Sequence, residues 1–134
     1  MGAAPQGLTE EQFVALSAKV RAGAGHLGSD IRVHGSRAAG AARPDSDLDL
    51  AILVTLERFE EILQEKFRTP NPGSAWERTM HHARNTGKIQ TGEAGLRALR
   101  RDLEADLGIK VQISVIRQGG PFDRGPYLLL KANG

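Results

Sequence analysis

The chain has 134 residues, 40% hydrophobic and 25% charged, which are ordinary values for a single globular domain. It has no cysteine, so disulfide scaffolds and cysteine-based zinc sites are excluded, and no apolar run approaches the roughly 18 residues of a membrane span. The net charge is only +2, but residues 66–101 carry 8 Lys and Arg against 2 Glu. A phosphate-rich ligand suits this basic stretch, and a solvated helical surface explains it equally well.

The N-terminal segment predicts a helix followed by a strand. Residues 8–22 form the helix, with Thr9 as N-cap and Gln12 three residues later in a capping box. Glycines at residues 23–28 then spell G-x-G-x-x-G, but a dinucleotide fingerprint must follow a strand and open a helix. We therefore interpret these glycines as a helix-to-strand turn, and we predict a strand over residues 31–34.

In the rest of the chain, segments with the apolar spacing of a helix alternate with segments that have the apolar spacing of a strand. A second strand is predicted after a turn around Pro44, and three helices, one strand and a short terminal strand follow it. The predicted second strand covers 47–54, the helices 56–67, 74–86 and 93–107, and the later strands 109–116 and 127–130. This order predicts an α+β (mixed α/β) fold in which one small mixed β-sheet is packed with helices, with residues 1–134 forming a single domain.

Two acidic residues lie two positions apart in the predicted second strand. Because side chains alternate along a strand, Asp47 and Asp49 project from one face, while Leu48 and Leu50 project from the other. Adjacent carboxylates repel each other unless a cation lies between them, and Mg²⁺ accepts carboxylate, water and phosphate oxygens. The pair therefore predicts a metal site that carries a nucleoside triphosphate. A solvated strand with two acidic residues is the simpler alternative, but it leaves the apolar face unexplained.

The Gly35-Ser36 turn predicts the phosphate-binding part of the same site. Glycine lets backbone N–H groups approach phosphate oxygens closely, and Ser36 adds a hydroxyl donor. Arg37 follows immediately and is expected to neutralise phosphate charge. Lys88 lies in a glycine-flanked loop and is the second predicted nucleotide-binding cation. A solvated surface remains the alternative for the other basic residues of this region.

Together these residues resemble the nucleotidyltransferase signature of the polymerase-beta-like superfamily. The signature is Gly-Ser after an apolar strand, ten spacer residues, and then Asp47-Leu48-Asp49-Leu50. The resemblance implies a minimal nucleotidyltransferase fold that binds Mg²⁺ or Mn²⁺ at the two aspartates. It also implies transfer of a nucleoside monophosphate from an NTP to an acceptor. A third carboxylate is expected from the later strand, at the position of Gln112 or, as the alternative, of Ser114.

Three explanations for Gln112 remain open from the sequence. The protein is a naturally degenerate nucleotide binder, or Gln112 is an inactivating substitution, or another group such as a nearby histidine or Asp123 takes the catalytic role. An amide is not a general base as a carboxylate is, so Gln112 is at most a neutral metal ligand. The alternative function is accordingly a non-catalytic module that binds nucleotide or a protein partner.

Further segments resemble the nucleotidyltransferase domains at the C-terminal ends of bacterial polymorphic toxins. That resemblance implies a domain that is delivered into a rival cell, acts in its cytoplasm and is blocked at home by an immunity protein. The acceptor that the superfamily resemblance implies is an RNA 3′ end, such as that of tRNA, a protein hydroxyl, or a small molecule such as an aminoglycoside. The resembling segments are residues 25–28, 35–40, 71–74, 86–90 and 119–123.

Overall fold

A computed structural model describes residues 4–131, and its elements form the predicted α+β fold. The helices and strands alternate irregularly along the chain, with the helices packed against one mixed sheet. In chain order the elements are α1 (Glu10–Ala24), β1 (Asp30–His34), α2 (Gly35–Ala39), β2 (Leu48–Val54), α3 (Leu56–Phe67), α4 (Ala75–Thr86), β3 (Lys88–Ile89), α5 (Arg97–Leu107), β4 (Val111–Arg117) and β5 (Leu128–Leu129).

The sheet has the strand order β3-β4-β2-β1-β5. Strands β2 and β4 run parallel, and the other neighbouring pairs run antiparallel. Strand β2 is therefore central, and its register sets the neighbours of its acidic residue. Asp49 lies opposite His34 on β1 and opposite Gln112 on β4.

The two faces of the sheet differ in what they bury. Alternate residues of β2, including Leu48, Leu50 and Ile52, belong to the main core, in which α1, α3 and α5 also participate. Residues on the other face include Asp49 and a small separate cluster of Ala51, Leu53 and Ile116. Burying each large aliphatic side chain contributes about 1.5–3 kcal/mol to the stability of the fold. Packing of the main core therefore determines which face of β2 is covered and which stays open. The acidic residue is thereby directed to the open face.

Local signals set most of the helix ends as predicted. Gln12 N–H donates to Thr9 Oγ1 at 3.1 Å, and the Gln12 side chain accepts from Thr9 N–H, which confirms the capping box. Ser74 caps α4 by accepting from Glu77 N–H at 3.1 Å, but the Glu77 carboxylate accepts from Gly73 N–H instead of returning a bond to Ser74. Gly87 ends α4 with φ 72, a left-handed conformation that glycine adopts without steric cost.

Two helix boundaries and one short strand differ most from the predictions. Helix α1 continues through Gly23, where a Cβ would press against Leu99, so this glycine admits α5 rather than beginning a turn. Helix α5 begins at Arg97 instead of residue 93, because Gly95 has φ 75 and breaks the helical backbone. The two-residue strand β3 was not predicted, since so short a segment has no periodicity. Within residues 4–131, no helix is long and apolar enough to cross a membrane.

Candidate active site

A cavity of about 450 Å³, which we call the carboxylate cavity, opens on the face of the sheet that carries Asp49. Five of the residues predicted for the site line it: Ser36, Asp47, Asp49, Lys88 and Gln112. They come from α2, the start and interior of β2, β3 and β4. The fold therefore gathers residues up to 76 positions apart, from Ser36 to Gln112, in one place.

The two aspartates enter the cavity at the start of β2. Asp47 immediately precedes the strand, whose first residue, Leu48, donates its N–H to Lys110 O at 2.8 Å. Gln112 lies beside Asp49 in the parallel register and donates from Nε2 to Asp47 Oδ2 at 3.0 Å. The glutamine thus occupies the neighbouring position where the sequence resemblance expects a third acid.

The electrostatics of the pair favour an added cation. Burial raises the pKa of Asp49, and the nearby charge of Asp47 raises it further, whereas Lys88 opposes the shift. The ionised form of Asp49 therefore has a higher free energy in the folded protein than in water. A divalent cation bound by the two carboxylates would offset this cost. Within residues 4–131 no cluster of three or more His, Cys, Asp or Glu forms a metal site. Two carboxylates fit Mg²⁺, which keeps water and phosphate oxygens as its other ligands.

Gly35 makes room for the carboxylate of Asp49. Its backbone has φ 75, and a Cβ at this position would overlap Asp49 Oδ2. Gly35 itself lines a second cavity of about 300 Å³ next to the first, and Ser36 lines both. Gly35 thus lies against Asp49, while Gly35 and Ser36 also face a cavity that is open to a ligand, and the first of these two roles was not predicted.

Arg37 is a correction to the predicted nucleotide-binding set. Its side chain is 4% exposed and does not line the cavity. The guanidinium donates to Gln6 O at 2.7 Å, to Ser46 O at 2.8 Å and to Pro44 O at 3.2 Å. Arg37 therefore holds the loop that leads to Asp47, and its donors are directed to backbone carbonyls instead of phosphates.

Lys88 lies at the edge of the cavity against an aromatic ring that was not predicted. Its Nζ is 4.7 Å from the centre of the Phe122 ring, a cation–π contact, and Phe122 lines both cavities. The open alternative catalytic residue, Asp123, accepts from Gly119 N–H at 2.8 Å and does not line the carboxylate cavity. Phe122 had no detectable signal beyond being aromatic in a glycine-rich loop.

His34 also lines the cavity, and the sequence assigned no role to it beyond the open alternative of a nearby histidine. Its ring lines both cavities, and the buried Nε2 has no hydrogen-bond partner among the described residues. Burial lowers the pKa of His34, and the positive charge of Arg32 lowers it further. Both effects favour the neutral form of the imidazole. Its position directly before Gly35 was the only sequence signal for it.

The small mixed sheet and the paired carboxylates beside Gly35-Ser36 are the arrangement that the sequence resemblance predicted for a nucleotidyltransferase fold. The chain belongs to the nucleotidyltransferase domain family of the polymerase-beta-like superfamily, whose family model matches residues 17–119. The matched segment includes Gly35, Ser36, the two aspartates and Gln112. No curated protein and no solved structure gives a significant match to the chain.

Proposed function

We propose that this domain is a metal-dependent nucleotidyltransferase that moves a nucleoside monophosphate from an NTP to an acceptor hydroxyl. The observation that carries the proposal is the convergence of Asp47, Asp49, Ser36 and Lys88 on one cavity. Membership of the nucleotidyltransferase family supports the same reaction class. The raised pKa of Asp49 supports a site that is completed by a cation.

Each of these cavity residues would have a separate role in such a transfer. Asp47 and Asp49 would hold Mg²⁺ or Mn²⁺, which would supply positive charge at the α-phosphate and at the leaving pyrophosphate. Ser36 donates a hydrogen bond to a phosphate oxygen, and Lys88 neutralises phosphate charge. The acceptor oxygen forms a bond to the α-phosphorus, the bond from that phosphorus to pyrophosphate breaks, and the proton of the acceptor hydroxyl passes to a general base.

Gln112 limits this reaction in the present chain. The superfamily resemblance expects an acid at position 112, but the Gln112 amide cannot take a proton from an acceptor hydroxyl. The amide instead donates a hydrogen bond to Asp47. We therefore propose that a carboxylate at position 112 is the general base of the active form. The second candidate function, a nucleotide-binding module without turnover, is favoured by the same hydrogen bond.

The biological setting is proposed on the toxin resemblance of the sequence segments alone. The domain would be the effector part of a bacterial polymorphic toxin, acting in the cytoplasm of a target cell. An immunity protein would block it in the producing cell. Its acceptor would be the 3′ end of tRNA or of another RNA, or a protein hydroxyl.

The test compares Gln112→Asp with Gln112→Asn, which has the same size and shape without the charge. Each variant and the unaltered chain are incubated with Mg²⁺, NTPs labelled at the α-phosphate, and total RNA plus protein. Only Gln112→Asp should transfer label, at least about 10²-fold faster than the other two, because general-base catalysis contributes 10²–10⁴-fold. If Gln112→Asp binds Mg-NTP and stays inert, the assignment of position 112 is wrong.

A further inference from the structure

Lys88 is the only lysine or arginine of the described chain that lines the carboxylate cavity. Its backbone is fixed, because it pairs with Ile116 across β3 and β4 and directly follows Gly87, which ends α4. Its side chain is long and flexible, and no carboxylate within residues 4–131 lies close enough to form an ion pair with it. The position of the ammonium therefore depends on another contact.

The ring of Phe122 provides that contact. Nζ of Lys88 lies 4.7 Å from the ring centre, within the roughly 6 Å of a cation–π contact. Both side chains line the carboxylate cavity, so the ring holds the ammonium at the cavity wall. An ammonium has three N–H donors, and those directed away from the ring stay available to an anion in the cavity.

The turn that carries Phe122 is held by its own hydrogen bonds. Gly119 N–H donates to Asp123 Oδ2 at 2.8 Å, and Asp123 N–H donates to Gly120 O at 3.1 Å. Gly120 N–H in turn donates at 3.1 Å to the carbonyl of Arg117, the last residue of β4. Since β4 pairs with β3, the turn and the lysine are attached to the same edge of the sheet. The ring is therefore fixed next to the ammonium before any ligand binds.

We propose that Phe122 is a positioning residue, which holds the Lys88 ammonium at the wall of the carboxylate cavity ready for the phosphates of the nucleotide. This proposal rests on the proposed transferase function and adds a residue to it. Binding is stronger when the side-chain entropy of the lysine is lost before the ligand arrives. Phe122 lies beyond residues 17–119, which the family model matches, so family membership does not account for the ring.

Two other roles for the ring predict different results. A ring that stacks on the nucleobase would strengthen binding of Mg-ATP and leave binding of Mg-tripolyphosphate unchanged, because tripolyphosphate has no base. A ring that draws the ammonium away from the phosphates would weaken tripolyphosphate binding, so its removal would tighten that binding. Inorganic tripolyphosphate is therefore the probe that separates the three roles.

The test titrates Mg-tripolyphosphate into the unaltered chain, Phe122→Leu and Phe122→Tyr by calorimetry. Phe122→Leu keeps an apolar side chain but no ring, so binding should weaken by about threefold or more, whereas Phe122→Tyr keeps the ring and should stay within about 1.5-fold. The matched control is Tyr127→Leu. Tyr127 is exposed, and its ring carries Arg32 at 4.1 Å, but it lines neither the carboxylate cavity nor the second cavity. This control should change binding by less than about 1.5-fold.

A double-mutant cycle tests whether the ring acts through the lysine. Lys88→Gln alone should weaken Mg-tripolyphosphate binding, and adding Phe122→Leu to it should change binding by less than about 1.5-fold, because the ring no longer has a cation to hold. An equal effect of Phe122→Leu with and without Lys88 overturns the proposal. Unchanged or tighter tripolyphosphate binding in Phe122→Leu also overturns it, as does an effect that appears with Mg-ATP alone or that Phe122→Tyr does not restore.

The same titrations separate this proposal from the transferase function. If the unaltered chain binds Mg-tripolyphosphate and Mg-ATP but Phe122→Leu or Lys88→Gln has no effect, the positioning role is wrong and the acidic pair keeps its assignment. If the unaltered chain binds neither probe, the transferase proposal is overturned as well.

Discussion

Gln112 donates a hydrogen bond from its side-chain amide to Asp47, with 3.0 Å between Nε2 and Oδ2. The bond connects the residue before β2 to β4. It satisfies one lone pair of the Asp47 carboxylate, which lies near the negative charge of Asp49. The present side chain therefore stabilises the acidic pair in the absence of metal. Replacing it with an acid exchanges that donor for a third negative charge.

The first prediction concerns the stability of Gln112→Asp without metal. Three carboxylates repel each other more than two, so this variant should melt several degrees below Gln112→Asn in EDTA. Adding Mg²⁺ should raise the melting temperature of Gln112→Asp more than that of Gln112→Asn, because the added carboxylate strengthens metal binding. Thermal unfolding by circular dichroism checks both statements. Equal melting temperatures with and without Mg²⁺ would contradict placing position 112 at the metal site.

The second prediction concerns the glycine beside Asp49. Gly35→Ala should lose Mg-ATP binding, because the added Cβ overlaps Asp49 Oδ2 and displaces the carboxylate. The matched control is Gly40→Ala, which has a similar φ of 73 but nothing within 4 Å of the added Cβ. Both variants should lose about 1–2 kcal/mol for alanine in the left-handed region, and only Gly35→Ala should lose more. Urea unfolding and calorimetric titration measure the two effects, and equal losses in the two variants would contradict the steric account.

The third prediction separates a structural from a phosphate-binding role for Arg37. Arg37→Ala should reduce the free energy of unfolding by about 3 kcal/mol or more, because it leaves the carbonyls of Gln6, Pro44 and Ser46 without their buried donor. Arg37→Lys should recover little, since an ammonium lacks the planar fork. Exposed Arg43, on the same loop, provides the control, and Arg43→Ala should unfold like the unaltered chain. An Arg37→Ala protein of normal stability that fails to bind Mg-ATP would restore the phosphate role.

Local chemistry made most of the fold predictable. The Thr9–Gln12 capping box and the glycine after α4 act within a few residues, and both ends are where the sequence indicated. Strand alternation also placed Asp49 on the open face as predicted, whereas Asp47 lies just before β2, not within it, and reaches the same cavity from the preceding turn. The start of α5 was not readable, because it depends on Gly95 adopting a positive φ within its turn.

The remaining differences arise from contacts between distant segments. Arg37 follows Gly-Ser and carries the charge that a phosphate needs, so the sequence favoured a ligand contact. Its burial depends on Gln6 and the loop around Ser46 folding onto it. Likewise, Phe122 reaches Lys88 only because the C-terminal loop folds back against β3. No spacing rule relates residues so far apart.

The measurement that tests the central claim most directly is a calorimetric titration of the chain with Mg-ATP. The unaltered protein should bind Mg-ATP and lose that binding in EDTA, and Asp47→Asn and Asp49→Asn should each weaken it by about tenfold or more, one such step being 1.4 kcal/mol. Asp49→Asn should stay folded and melt no lower than the unaltered chain, because burial and Asp47 already disfavour its charge. Mg-ATP binding that is unchanged in both variants, or absent from the unaltered chain, would contradict the assignment of this site.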